Sequence, residues 1–158
     1  MLIQKKALAF LCLGFLFVIC LSGCNHMTYP YQIYPFKVFK MPPRPVGERD
    51  YGHNYQIWAI DKEGLESVGA SEYGDLFEEY GFSGNGESWR EHIQYIIEEK
   101  DPSLLDHIEF DCNSDEFLTW ADSEEAVQRF LNDVSPVFES EAKLKAHFKQ
   151  LDPDDFME

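Results

Sequence analysis

Apolar and polar positions alternate with two different periods along this chain. Tyr55 to Ile60 reads Tyr-Gln-Ile-Trp-Ala-Ile, a strand pattern that ends at the turn Asp61-Lys62-Glu63-Gly64. From Ser71 to Tyr80 the apolar residues Tyr73, Leu76, Phe77 and Tyr80 fall at i, i+3, i+4 and i+7. This is one helical stripe, and Gly81 stands at the C′ position that ends such a helix. A second helix is predicted to bury Trp89, Ile93, Ile96 and Ile97, with Ser88 and Glu91 at capping-box spacing and Asp101-Pro102 as its stop. His107 to Cys112 alternates Ile108, Phe110 and Cys112 on one side, and Glu116 to Ala121 supplies Phe117, Leu118 and Trp120, so the pair predicts a β-hairpin turning at Asn113-Ser114-Asp115. A third helix is capped by Asp122 and Glu125, faces inward with Val127, Phe130, Leu131 and Val134, and is interrupted at Pro136; a fourth carries Leu144, Phe148 and Leu151.

Between these elements and the N-terminus lies a Tyr/Pro-rich stretch, residues 24–53, which ends near Met41-Pro42-Pro43-Arg44-Pro45 and reads as a tether. Within it Tyr34 to Lys40 fits an edge strand, because Pro35 suits a strand start and the lysines discourage further pairing. The expected fold class is α+β in the order β-β-α-α-β-β-α-α, a small antiparallel sheet of about four strands covered by helices on one face. The domain is placed at residues 54–151, followed by an acidic tail, 152–158, expected to fray.

Residues 1–23 read differently. Lys5 and Lys6 precede fifteen residues, Ala7 to Leu21, that are apolar apart from Gly14, and Leu21-Ser22-Gly23-Cys24 follows. The order is that of a signal peptide with a lipobox: small residues admit a peptidase between Gly23 and Cys24, and the Cys24 thiol takes up lipid such as palmitate. Fifteen helical residues reach only about 22 Å, short of a hydrocarbon core of about 30 Å, which argues against an uncleaved span. The expected location is the bacterial cell envelope, with the chain lipid-anchored at the outer or plasma membrane. Of the four cysteines, Cys12 and Cys20 leave with the signal and Cys24 is lipidated, so Cys112 has no partner for an internal disulfide and reads as a small buried hydrophobe.

The signal carries two of the thirteen basic residues and none of the twenty-nine acidic ones, so the mature chain has a formal charge of −18. That charge repels phosphate backbones and anionic headgroups, which excludes nucleic acid as a partner and favours basic proteins. It also serves plain solubility.

No catalytic site, metal or cofactor is predicted. The five histidines, His26, His53, His92, His107 and His147, are far apart in sequence without metal-ligand spacing. Cys112 in alternation with Ile108 and Phe110 reads as core rather than nucleophile, and Glu98-Glu99 and Glu124-Glu125 as solvated helix faces. Gly84-Asn85-Gly86 lacks the preceding strand and following Lys-Ser/Thr of a phosphate loop and reads as a structural elbow, comprising Gly81, Gly84, Asn85, Gly86 and Trp89. A shaped loop on a partner-facing side is the alternative.

The segment from Gly81 to Trp89, then Ile93 to Glu98, Ile108-Glu109-Phe110-Asp111, Phe117 and the Asp122 to Phe130 helix resembles immunity family 51 of bacterial polymorphic toxin systems. The likeness runs from about Tyr55 to Phe148, and Glu87 stands where that family has an aromatic residue. The resemblance implies a non-enzymatic protein that binds and neutralises a cognate toxin domain, and the acidity suits a basic toxin. A lipid-anchored member would meet its toxin in transit or within the envelope. Candidate toxin contacts are Asp111, Asp115 and Glu116 at the hairpin turn and Asp122, Glu124 and Glu125 at the next helix start, expected to gather negative charge at one end of the sheet. The competing reading is a structural or scaffolding lipoprotein of the envelope with no toxin partner.

Overall fold

Strict alternation builds the sheet. In β2 (Phe36–Lys40) Phe36 and Val38 are fully buried while Lys37 and Phe39 point to the opposite face, and in β3 (Tyr55–Ala59) Tyr55, Ile57 and Ala59 are buried between the half-buried Gln56 and Trp58. The computed structural model describes residues 27–49, 51–59 and 73–156. β1 (Tyr31–Ile33), β4 (Ile108–Phe110) and β5 (Leu118–Ala121) complete an antiparallel sheet of order β1-β2-β3-β5-β4. The fold is α+β, with five strands where about four were expected.

The added strand changes the reading of residues 24–53. β1 pairs with the outer side of β2, so Tyr34 to Lys40 contributes an inner strand and not an edge. Phe36 sits at the centre of the core, edge-on to Phe130 at 5.2 Å and Phe138 at 5.7 Å, with Phe117 and Trp89 beyond. The stretch expected to act as a tether is therefore structural from Tyr31 to Lys40. The predicted turn at residues 61–64 and the first two residues of the first predicted helix lie outside the described residues.

Four helices cover the face that carries Phe36 and Ile57. α1 (Gly74–Glu79) buries Leu76 and Phe77, and the Tyr73 hydroxyl just before it donates to the Phe138 carbonyl at 2.6 Å. α2 (Gly86–Lys100) buries Trp89, His92, Ile93, Ile96 and Ile97. Its N-cap is Asn85, whose side chain accepts from the Ser88 amide at 2.8 Å, so the helix begins two residues before the predicted Ser88 cap. α3 (Glu124–Phe138) is likewise capped by Ser123, accepting from the Ala126 amide, and not by Asp122 with Glu125.

Pro136 does not interrupt α3. It lies near the last turn, and continuing the helix carries Val134 and Phe138 into the core. Burial of Phe138, about 1.5–3 kcal/mol, together with the Tyr73 hydrogen bond, about 1 kcal/mol, offsets the proline cost of about 3 kcal/mol. α4 (Glu141–Phe148) is capped by Ser140 and buries Leu144 and Phe148, with Leu151 beyond its end.

The segment expected to fray is docked as far as Phe156. Asp152 accepts from the Asp154 amide to start a 3-10 turn, Pro153–Asp155, and the Phe156 ring lies 4.6 Å from that of His92 and 5.3 Å from that of Phe82.

Candidate functional site

The elbow between α1 and α2 is fixed by backbone constraints. Gly81 and Gly84 have φ of +88° and +70°, a region where a Cβ is strained. Gly86 is glycine for a different reason: a Cβ there would lie 2.0 Å from the Glu116 carbonyl oxygen and 2.2 Å from that of Asn113. The start of α2 is thus pressed against the β4–β5 connection. Trp89, one turn on, is fully buried and stacks on Phe138 at 4.8 Å and Phe77 at 5.6 Å. Each elbow residue has a packing or capping role.

The β4–β5 connection spans residues 111–117, longer than the predicted three-residue turn, because the strands end at Phe110 and begin at Leu118. The Asn113 side-chain oxygen accepts from the amides of Asp115 at 2.7 Å and Glu116 at 3.1 Å, and the Asn113 amide donates to the Glu116 carbonyl. This local network fixes the backbone of the tip, on which Asp115 is exposed and Glu116 half-buried. Cys112 lies past the strand; its thiol donates to the Leu118 carbonyl at 3.3 Å, and burial pushes it up to about 11, which leaves it protonated and inert at neutral pH.

The six acidic candidates do not share one end of the sheet. Asp111 is level with Leu118, its amide donating to that carbonyl, whereas Asp122 is level with His107 at the other end of β5. Four strand residues, about 13 Å, separate the two levels. At the tip, Asp111 accepts from the Trp120 indole at 3.2 Å and Glu116 from the Asn113 side chain at 3.1 Å. At the far end, Asp122 pairs with His107 at 2.8 Å, and Glu124 accepts from the Met27 amide at 2.9 Å. Glu124 and Glu125 occupy the first turn of α3, where they complement the helix dipole. Asp122 is lowered from the ordinary carboxylate range; its burial opposes the shift, and the hydrogen bonds from His107 and Ser123 outweigh it.

Distance in sequence hid two histidine groupings. His53 stacks on Trp120 at 4.7 Å and pairs with Glu109 at 2.7 Å; with Tyr51, His107 and Asp122 these line a cleft of about 190 Å³. His92 and His147 meet under the α2–α4 contact, His92 Nδ1 lying 3.2 Å from His147 Nε2. The signal available for the second pair was positional. His92 follows Trp89 by three and precedes Ile96 by four, on the buried stripe of α2.

Among the described residues no group of three or more His, Cys, Asp or Glu side chains is placed to hold a metal ion, and no helix is long and apolar enough to cross a membrane. No curated protein and no solved structure matches the chain. The sequence model of immunity protein 51 matches residues 65–153, from before α1 to the start of the 3-10 turn after α4. That span holds the elbow, the acidic tip and all four helices, and on this match the chain belongs to the immunity protein 51 family.

Proposed function

We propose that this chain is a lipid-anchored immunity protein that binds a cognate, basic toxin domain through the acidic tip of the β4–β5 connection and so neutralises it. The family match over residues 65–153 carries the reading. Leu21-Ser22-Gly23-Cys24 supports the anchor, and the mature charge of −18 supports a basic partner. Asp115 and Glu116 are favoured over Asp122 and Glu124 as contacts. Asp115 is exposed and Glu116, half-buried, accepts from the Asn113 side chain of the same tip, whereas Asp122 and Glu124 serve His107 and the Met27 amide. The protein acts by occupying the toxin and not by catalysis.

The test is capture followed by rescue. The soluble chain, lacking its signal and carrying Cys24→Ser, is used to retain partners from sibling cells that lack the native protein. The retained toxin domain is then produced in a sensitive host with and without the chain. Retention of one toxin domain together with restored growth supports the proposal; a retained domain whose toxicity is unchanged refutes it. In the same complex Asp115→Asn with Glu116→Gln should slow association several-fold at low salt and less at high salt. An unchanged on-rate would move the contact off the tip.

A further inference from the structure

At the end of the sheet opposite the acidic tip, β2 is joined to β3 by a loop with an unusual surface. Residues 42–49 are all exposed, yet the loop is tied internally. The Met41 amide donates to the Asn54 carbonyl at 2.9 Å, the Glu48 amide to the Pro45 carbonyl at 3.2 Å, and Arg44 Nη1 to the Arg49 carbonyl at 2.9 Å. The guanidinium groups of Arg44 and Arg49 lie 5.3 and 5.5 Å from the Tyr51 ring centroid. Pro42, Pro43 and Pro45 restrict the backbone further. On this frame stand Val46, wholly exposed, and Tyr51, 59% exposed, two of the four exposed large apolar or aromatic side chains among the described residues.

The charge of the chain is divided along the same line. Residues 24–54 carry Lys37, Lys40, Arg44 and Arg49 against Glu48 and Asp50, whereas residues 55–158 carry seven basic side chains against twenty-seven acidic ones. Three carboxylates near the loop are engaged: Glu109 of β4 with His53, Asp122 with His107, and Glu124 at the start of α3 with the Met27 amide. That last bond, and the Tyr29 ring 5.4 Å from Tyr55, bring the N-terminal segment into the fold at this same end. Three peptide steps separate Met27 from Cys24, a reach of at most about 11 Å.

We infer that loop residues 42–49, together with Tyr51 and Gly52, are a membrane-facing foot. Val46 and the Tyr51 ring enter the headgroup boundary of an anionic bilayer, Arg44 and Arg49 meet its phosphates, and the acidic tip at Asp115 and Glu116 faces away from the lipid. An apolar tip flanked by cations is what an interfacial site requires, and a short reach to an acyl anchor holds it at the surface. The orientation also keeps the acidic tip at Asp115 and Glu116 away from like-charged headgroups. The inference rests on the lipidation of Cys24 proposed above.

The test uses the full chain purified from membranes and reconstituted into phosphatidylcholine vesicles with or without phosphatidylglycerol. Spin labels are placed at Val46→Cys or Asp115→Cys in a Cys112→Ala background, and collisions with a water-soluble nickel relaxant are read at each. The expected result is a several-fold fall at position 46 on the anionic vesicles, none at position 115, and loss of the fall when Arg44→Glu and Arg49→Glu are added. Equal accessibility at both positions on anionic vesicles overturns the foot. The intact mass of the N-terminal peptide decides lipidation separately. A chain without lipid that still shields position 46 on anionic vesicles overturns the anchor and sustains the foot, and a lipidated chain that leaves position 46 in water does the reverse.

Discussion

The buried histidine pair makes the fold sensitive to acid over a defined range, and His92→Leu tests this. His92 has no exposed surface, its Nε2 is buried without a hydrogen-bond partner, and its ring is enclosed by Phe77, Phe82, Phe148 and Phe156. Burial, reinforced by the neighbouring His147, lowers His92 to about 3. Burial, reinforced by Lys100, lowers His147 to about 4. Both values lie below the unfolded histidine value of about 6.5, so the unfolded chain binds more protons than the folded one as the medium is acidified. The stability of the neutral pair is complete above about pH 6.5 and is lost as pH falls towards 4 and then 3. At about pH 4.5 the pair has cost on the order of 5 kcal/mol, against a typical total of about 5–15 kcal/mol. Urea unfolding followed by tryptophan fluorescence at about pH 7.5 and about pH 4.5 measures the loss directly. His92→Leu should remove roughly half of the pair's share. An equal loss of stability in variant and wild type between the two pH values would refute the argument, because groups common to both chains, His147 and the carboxylates, would then carry all of the pH dependence.

Three further outcomes follow from packing. Phe36→Ala should cost about 3–5 kcal/mol in urea unfolding, and a chain begun at residue 54 should lack a cooperative transition, since β2 supplies the centre of the core. Gly86→Ala should destabilise by more than about 2 kcal/mol, because a Cβ there meets two carbonyl oxygens of the acidic connection; Gly84→Ala, at positive φ and with its Cβ 3.0 Å from that of the buried Phe77, should cost about 1 kcal/mol or more. Ser123→Ala should lower stability by about 1 kcal/mol through loss of the α3 cap, while Asp122→Ala leaves that cap intact.

The helices and the β4–β5 pairing were legible because their apolar stripes are long and uninterrupted. Tyr73, Leu76 and Phe77, then Trp89, Ile93 and Ile97, all lie where the 3.6-residue period puts them. What period alone could not assign was the competition at the ends. Asn85, Ser123 and Ser140 took the caps over nearby residues of similar chemistry, a choice made by local backbone geometry. Phe36 and Val38 were visible as an alternation, but the prolines around them argued for a tether. Only the pairing with β3, Val38 opposite Ile57, turns that short run into core. The two ends of β5 were confused for a related reason. Asp111 at the hairpin turn and Asp122 at the next helix start were expected at one end of the sheet, and antiparallel register sets them at opposite ends of β5. The His92–His147 pair depends on how α4 crosses α2, which no local pattern encodes.

The elbow and the acidic tip are mechanically one unit, and this separates what the family motif does from what a partner would read. Gly86 has no side chain because the carbonyls of Asn113 and Glu116 occupy that space, and Asn85 caps the helix whose start supports them. The Gly-Asn-Gly motif therefore sets where the tip sits, while the tip's exposed side chains remain free to vary without touching the core. Substitution at the elbow should act first on stability and only through it on toxin binding. Substitution of Asp115 or Glu116 should act on binding with little change in unfolding free energy, because surface changes away from caps and core typically stay within about 0.5 kcal/mol. Measuring both quantities for Gly86→Ala and for Asp115→Asn with Glu116→Gln checks the division. Tip substitutions that destabilise as much as the glycine change would mean that the connection's side chains, and not its backbone, hold it against α2.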